Sequence, residues 1–181
     1  NIIELTPWKA SKISHEMGIT IFPSDTSNLD SLEDEVNYDI DTSILIRSLI
    51  DDSLFYNNVD SPITSNGMKK IREYSKNQGK IGNIDLACIA VGAAAEFPQC
   101  FPDIDRQFEK ERIIKTSLNN FAKQLDILEN NCYFPAGGTY FIPGKFSSLN
   151  EYVAQPTFGQ LESVVDSSEF CDYFFNLEGG N

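Results

Sequence analysis

Histidine is almost absent from this sequence. The chain has 181 residues and one histidine, His15, which lies in a polar segment. Zinc and iron sites of the histidine-rich kind need several imidazole or carboxylate ligands that converge on one point. Such a site cannot be assembled from this chain alone, and we expect His15 to be exposed or hydrogen-bonded rather than catalytic.

Basic residues are also scarce. The sequence has 14 lysines and arginines against 27 acidic residues, which gives a net charge of −13. Nucleic acids and anionic membranes are polyanions that proteins bind through lysine and arginine. The composition therefore argues against either partner, and a role in solubility is the simplest reading of the charge.

The four cysteines form no recognisable motif. Cys88, Cys100, Cys132 and Cys171 are widely spaced, so there is no CxxC pair to indicate a zinc knuckle or a redox site. Cys88 lies within the apolar run LACIAV, where a thiol behaves as a small core residue. We expect four reduced thiols in a cytoplasmic protein.

Long apolar runs are missing as well. No run approaches the ~20 residues that a membrane helix needs, and the N-terminal NIIELTPWKASK lacks the pattern of a secretory signal. These features predict a soluble chain without a membrane span. Its first residue is asparagine, which is compatible with processing, trimming or a missing upstream portion.

The sequence that is present predicts one α/β domain over residues 1–181. A strand near Ile19 stops at Pro23. The stretch Ser43 to Pro62 is typical of a β-hairpin that turns at Asp51-Asp52, and its continuous apolar run predicts a sheet covered on both faces. Further segments follow in order. They are a surface helix from Ser65 to Gln78, a central strand from Asp85 to Val91, a long helix from Ile104 to Leu128 with Asp103 as N-cap, a strand from Cys132 to Phe134, and a helix from Thr157 to Phe175 with Phe158 facing inward.

Two features could carry chemistry. Asp60 follows the second arm of the hairpin, where a carboxylate can be a ligand; the residues alone favour a turn or a helix cap instead. Gly137 and Gly138 follow a strand and could bring backbone N–H groups close to an anion. No phosphate-loop or GxSxG pattern accompanies them, so a tight turn is favoured.

Read in order, four segments resemble the metallo-β-lactamase-fold hydrolases, in particular the branch related to N-acyl-phosphatidylethanolamine phospholipases and CMP-sialic acid hydroxylases. The segments are ELTPWK with GITIFPSD, the hairpin SILIRSLIDDSLFYNNVDSP, the strand IDLACIAVGAAAEFPQCF, and CYFPAGGTYFIPGKFSSLN. They cover about residues 4 to 150. The resemblance implies half of an αββα sandwich, with a mixed sheet and helices on its outer face.

The resemblance also implies site residues. Asp60 matches the family's metal-bridging aspartate, and Asp25 is a second candidate metal ligand. Gly137, Gly138 and Thr139 match a glycine-threonine turn and are candidates for substrate binding. This reverses the reading from the residues alone and favours a ligand position for Asp60.

The departures from the family are equally informative. The family's His-x-His-x-Asp-His motif has no counterpart, so the chain resembles the C-terminal half only. Ser24-Asp25-Thr26 stands where the family often has a histidine after a strand and proline, and Ala136 stands where it has its last histidine. We therefore expect zinc or iron only in a complete assembly and no tightly bound metal in this chain alone.

Three functions remain open at this point. The first is the C-terminal portion of a metal-dependent hydrolase whose main metal motif lies in an N-terminal half. The second is a catalytically inactive module of the same fold that serves binding or assembly, and the third is an acidic interaction protein whose fold only happens to share the pattern. The expected partner is an N-terminal half of the fold or, otherwise, a second copy of the chain; no residue is assigned a catalytic role.

Overall fold

The fold is a mixed β-sheet with one layer of helices. The computed structural model describes residues 4–24, 42–59, 63–78, 82–92, 95–136 and 140–175. The strands are β1 (Ser11–Lys12), β2 (Met17–Pro23), β3 (Thr42–Ser48), β4 (Leu54–Asn58), β5 (Leu86–Ala90), β6 (Cys132–Ala136) and β7 (Tyr173–Phe174). The helices are α1 (Ser65–Lys76), α2 (Arg106–Leu128) and α3 (Phe158–Val165), with a 3₁₀ helix at Gly144–Tyr152.

The seven strands lie in the sheet in the order in which they occur in the chain. The first four pair antiparallel, and β4 to β7 pair parallel. The predicted hairpin is present as β3 and β4, with Ile46 opposite Phe55. Its turn contains Asp52 in the left-handed region, at φ 64°, and Arg47 Nη2 of β3 lies 2.6 Å from Asp52 Oδ1.

This strand order decides where the helices lie. Connections between parallel strands of one sheet are almost always right-handed. From β4 to β7 the chain always crosses to the next strand in the same direction, so α1, α2 and α3 are all placed on one face. The core confirms this arrangement, because side chains of all three helices pack with Phe22, Leu45, Tyr56 and Tyr133 of the sheet.

Caps and ion pairs fix the helices. Thr64 caps α1, and Asp105 Oδ1 accepts from the Phe108 N–H at 3.0 Å at the start of α2. Asp105 therefore fills the position predicted for Asp103. At the other end of α2, Glu129 adopts φ 50° and its Oε2 accepts from Nε of the buried Arg72 at 3.1 Å, which ties α2 to α1.

The α/β prediction, the mixed sheet and the placement of the described helices on one face of it are confirmed. Two expectations for the C-terminal segment are corrected. The C-terminal helix ends at Val165, and β7 follows where more helix was expected. Phe158, predicted to face inward, is 38 % exposed because it occupies the first turn of α3.

No helix in the described part of the chain is long and apolar enough to cross a membrane.

Candidate functional site

The carboxyl ends of four strands meet at one edge of the sheet. Since β2 and β4 are both antiparallel to β3, β2 runs in the same direction as β4, β5 and β6. The ends are level: Pro23 pairs with Thr42, and Ala90 pairs with Ala136. In α/β sheets, ligands bind outside the carboxyl ends of parallel strands.

The residues that the sequence predicted for the site follow these ends directly, but they lie outside the described residues. Asp25, Asp60 and the turn Gly137, Gly138 and Thr139 follow Ser24, Val59 and Ala136, respectively. The structure therefore brings the described neighbours of all three predicted pieces to one edge. Strands two apart in a sheet are separated by about 10 Å, which is the spacing between β2 and β4 and again between β4 and β6.

His15 cannot join this edge. It precedes β2 and is exposed, as expected, at the opposite, amino-terminal end of that strand. Ala136 ends β6 and is 7 % exposed. A buried methyl group thus occupies the position at which the resembled family carries a histidine.

The described residues of the edge do not by themselves fit a metal ion. Among them, no group of three or more His, Cys, Asp or Glu side chains could hold one. Zinc and iron sites need such convergent ligands, and Ala136 has no ligating atom. Asp25 and Asp60 stay predictions.

A groove that the sequence did not predict lies next to this edge. It has a volume of about 560 Å³ and is formed by two segments that follow β5 and β6. Its lining is largely apolar: Ala95, Glu96, Gln99, Cys100, Tyr140, Ile142, Phe146 and Leu149. Since the two segments are about forty positions apart, only the parallel pairing of β5 with β6 brings them together.

Hydrogen bonds hold the two walls of the groove. Tyr140 Oη donates to the Ala95 carbonyl at 2.8 Å, and the buried Gln99 carboxamide bonds to the same two residues through Nε2. Burial raises the pKa of Tyr140. Arg106 of α2 braces this arrangement, because Nη1 donates to the Gln99 carbonyl at 3.2 Å and the guanidinium lies 4.5 Å from the ring centroid of Tyr152.

The sheet face opposite the helices is the second candidate surface, and we call it the open face. Two rows of side chains cross five strands on this face. The first row is Ile19, Ile46, Phe55, Leu86 and Cys132, and the second is Ile21, Ile44, Asn57, Cys88 and Phe134.

The open face is apolar and incompletely covered by the described residues. Nine of its ten side chains are hydrophobic, and none is charged. Cys88 is buried, and the other nine are partly exposed. Phe55 and Phe134 stack across it with centroids 6.1 Å apart and an interplanar angle of 6°.

Comparisons with known proteins give few matches. No protein-family model and no curated protein matches the sequence. Among solved structures, the chain is similar to the crystal structure of unliganded yeast PDE1, with a TM-score of 0.46 and 8 % sequence identity. The match covers 97 % of this chain and 48 % of that one, so the chain spans about half the length of the structure it matches.

Proposed function

We propose that this chain is the C-terminal half of a metallo-β-lactamase-type, metal-dependent hydrolase whose main metal motif lies on another half. One observation carries the proposal: all three crossover helices lie on one face of the sheet, and the opposite face is apolar over five strands. Soluble proteins seldom leave a contiguous apolar patch of more than several hundred Å² uncovered. A second sheet packed about 10 Å away would cover this one and complete an αββα sandwich.

The edge formed by the strand ends determines which parts of the metal site each half of the fold would contribute. This half contributes a rigid set of strand ends, and the segments that carry Asp25, Asp60 and Gly137 to Thr139 follow those ends directly. The other half must supply the histidines, because Ala136 is a buried methyl group and His15 lies at the opposite end of β2. We derive no catalytic step from this chain alone.

The apolar groove beside the edge fits the same proposal. A concave, mostly apolar cavity with a few polar groups is the usual place for a small-molecule ligand, and this groove would hold an apolar part of the substrate. Tyr140 and Gln99 stabilise its two walls.

A second candidate, the catalytically inactive module for binding or assembly, is favoured by Ala136. Replacement of a ligand by a buried methyl group is the change expected where a fold persists after its metal site is lost. The open face would then serve assembly alone.

The test is to produce the 181-residue chain alone and together with the polypeptide encoded directly upstream in its gene. The measurements are sedimentation, metal content after dialysis, and hydrolysis of a panel of chromogenic phosphodiester, ester and lactam substrates. We expect a one-to-one complex that holds metal and hydrolyses at least one substrate, while the chain alone does neither.

Other outcomes separate the candidates. A stable complex without metal or hydrolysis would support the inactive module. Failure of the two polypeptides to associate would refute both the hydrolase half and the assembly module built on the open face.

A further inference from the structure

Gln99 leaves one buried acceptor unsatisfied in the wall of the apolar groove. The Gln99 side chain lines this groove, and the residue is 2 % exposed. Its Nε2 group donates to the Ala95 carbonyl and to Tyr140 Oη. Its Oε1 atom is buried and has no hydrogen-bond partner in the part of the chain that the structure describes. A buried amide oxygen without a donor has lost its hydrogen bonds to water and gained none in return.

The carboxamide cannot turn over to satisfy this oxygen. The Ala95 carbonyl is only an acceptor, so Nε2 and not Oε1 must face it. The Tyr140 hydroxyl has a single hydrogen, and it already donates this hydrogen to the same Ala95 carbonyl at 2.8 Å. The donor for Oε1 therefore has to come from outside these three residues.

Charge limits what this donor can be. Glu96 is the charged side chain in the lining of the groove, and it repels an anion. An ammonium group is disfavoured too, because a neutral oxygen in an apolar wall does not compensate for the desolvation of a charge. Glu96 would add little to its binding, since it is exposed and surface ion pairs are weak. An uncharged O–H or N–H group is left as the donor.

We propose that the groove binds an uncharged, largely apolar small molecule that donates one hydrogen bond to Gln99 Oε1 from a hydroxyl or an amide. The groove's volume of about 560 Å³ and its apolar lining are those of a small-molecule site. This inference rests on the proposed function only where the ligand is read as a substrate. The binding itself needs no more than the two walls of the groove.

A pair of matched ligands tests this on the isolated chain. Octanol and its methyl ether carry the same apolar tail, but the ether has no hydrogen to donate. Because Cys100 lines the groove and is exposed, a bound ligand should slow its alkylation by iodoacetamide, and the concentration dependence gives a dissociation constant. Octanol should bind about fivefold more tightly than the ether, whereas a merely apolar groove would prefer the more hydrophobic ether. Octanoate should give no protection, and alkylation of glutathione in the same solutions controls for effects on the reagent.

Two phenylalanines provide matched variants. Phe146 lines the groove and Phe141 does not, and both are more than half exposed. Phe146→Ala should weaken the binding of both ligands several-fold, and Phe141→Ala should change neither. Gln99→Leu removes the acceptor and should reverse the preference for octanol. If Gln99→Leu fails to fold, the ligand pair on wild type still decides.

The outcomes separate this inference from the proposed function. Equal or tighter binding of the ether to wild type would overturn the role of Gln99, and a lack of protection by either ligand at its solubility limit would overturn the site. Neither result bears on the two-sheet assembly, which is tested by the association of the two polypeptides. If those polypeptides fail to associate while octanol binds as expected, the groove stands as a ligand site and the hydrolase half does not.

Discussion

At the scale of single residues, the four thiols have different environments in one small protein. Burial raises the pKa of Cys88 from 9.0 to about 11 and that of Cys171 likewise to about 11. Cys132 is partly buried, and its pKa is raised by desolvation and then by Asp172 and Asp85. Cys100, on the wall of the groove, is exposed. Since the thiolate is the reactive form, the reactivity of each cysteine depends on its exposure and on how readily its thiol ionises.

We therefore predict that iodoacetamide at pH 8 modifies Cys100 first. Mass spectrometry of peptides after a short exposure should show Cys100 alkylated, with Cys88 and Cys171 protected until denaturant is added. The Cys100→Ser variant is the control and should take up almost no label under native conditions. Equal labelling of Cys88 and Cys100 would contradict the burial of β5.

The same two buried thiols predict a loss of stability in alkali. A raised pKa in the folded state means that the unfolded chain ionises first, so the unfolded state is favoured as pH rises. The contribution of these two thiols to the free energy of unfolding should be constant below about pH 8.5 and should fall as pH rises toward 11. Urea titrations across this range measure it.

The control for this titration replaces both thiols. The Cys88→Ala, Cys171→Ala double variant should have a shallower fall than wild type. A residual slope is expected, because burial also raises the pKa of Tyr133. An unchanged slope in the double variant would show that these thiols do not carry the effect.

Asp60 provides the residue-scale test of the proposed hydrolase. If the complete assembly hydrolyses a substrate, Asp60→Ala should abolish turnover and leave the melting temperature nearly unchanged, because a ligand at a strand end contributes little to packing. A turn or cap residue behaves in the opposite way: its loss costs about 1 kcal/mol of stability and no activity. Turnover and melting temperature measured on the same variant separate the two.

At the scale of elements, one buried arginine joins the two largest helices. Arg72 of α1 is 5 % exposed. It donates to Glu129 at the end of α2, to Asn83 Oδ1 at 2.9 Å, and to the Gly82 carbonyl. The Glu129 side chain is 35 % exposed and Arg72 is buried, so removal of the carboxylate leaves the buried guanidinium with neutral partners alone.

We predict that Glu129→Ala destabilises the chain by about 2 kcal/mol, by the loss of charge-assisted hydrogen bonds to Arg72. Glu129→Gly separates this from backbone strain, since glycine accepts the left-handed conformation at this position and should recover part of the loss. The exposed pair Lys76 and Glu73 serves as control: Glu73→Ala should leave the free energy of unfolding nearly unchanged. Chemical denaturation of the three variants measures these differences.

The elements also show what the sequence could predict. The hairpin, α1 and β5 were predicted because each has a local pattern of its own: two apolar arms with a turn, apolar residues at helical spacing, and a short apolar run between glycines. β7 was missed because its two residues acquire a strand conformation only by pairing with Cys132 and Tyr133. The groove was missed for the same reason, since its walls meet only through the pairing of β5 and β6.

Coverage of the sheet was the least predictable property. The run Ile44, Leu45 and Ile46 is apolar on both faces and predicts a strand that is covered on both. The described helices cover the face of Leu45, and a sequence pattern does not say what would cover the other. In the same way, apolar residues at helical spacing predicted the long helix but not how deeply each of them is buried. Phe108, in the first turn of α2, is 61 % exposed, whereas Phe121 and Leu125 are buried. Contacts along a stripe depend on how far the sheet extends beneath it.

At the scale of the whole molecule, the two faces of the sheet should respond differently to the same substitution. Leu45 and Ile46 are adjacent in β3 and point to opposite faces; Leu45 is 2 % exposed in the core under the helices, and Ile46 lies in the first row of the open face. We predict that Leu45→Lys unfolds the chain, because a charge without a partner would be buried in the core. Ile46→Lys should leave it folded.

The last prediction concerns the state of the isolated chain in solution. With the open face uncovered, wild type at micromolar concentration should associate in sedimentation experiments and bind a hydrophobic dye, because these are the ways in which an apolar sheet face is shielded from water. Ile46→Lys should reduce both association and dye fluorescence while the melting temperature stays close to that of wild type, since Ile46 is partly exposed and a lysine ammonium group there can reach water. Ile50→Lys, on an exposed turn residue outside the rows, is the matched control and should behave as wild type. If wild type is a stable monomer that binds no dye, the open face is covered within the chain itself, and the two-sheet assembly has to be abandoned.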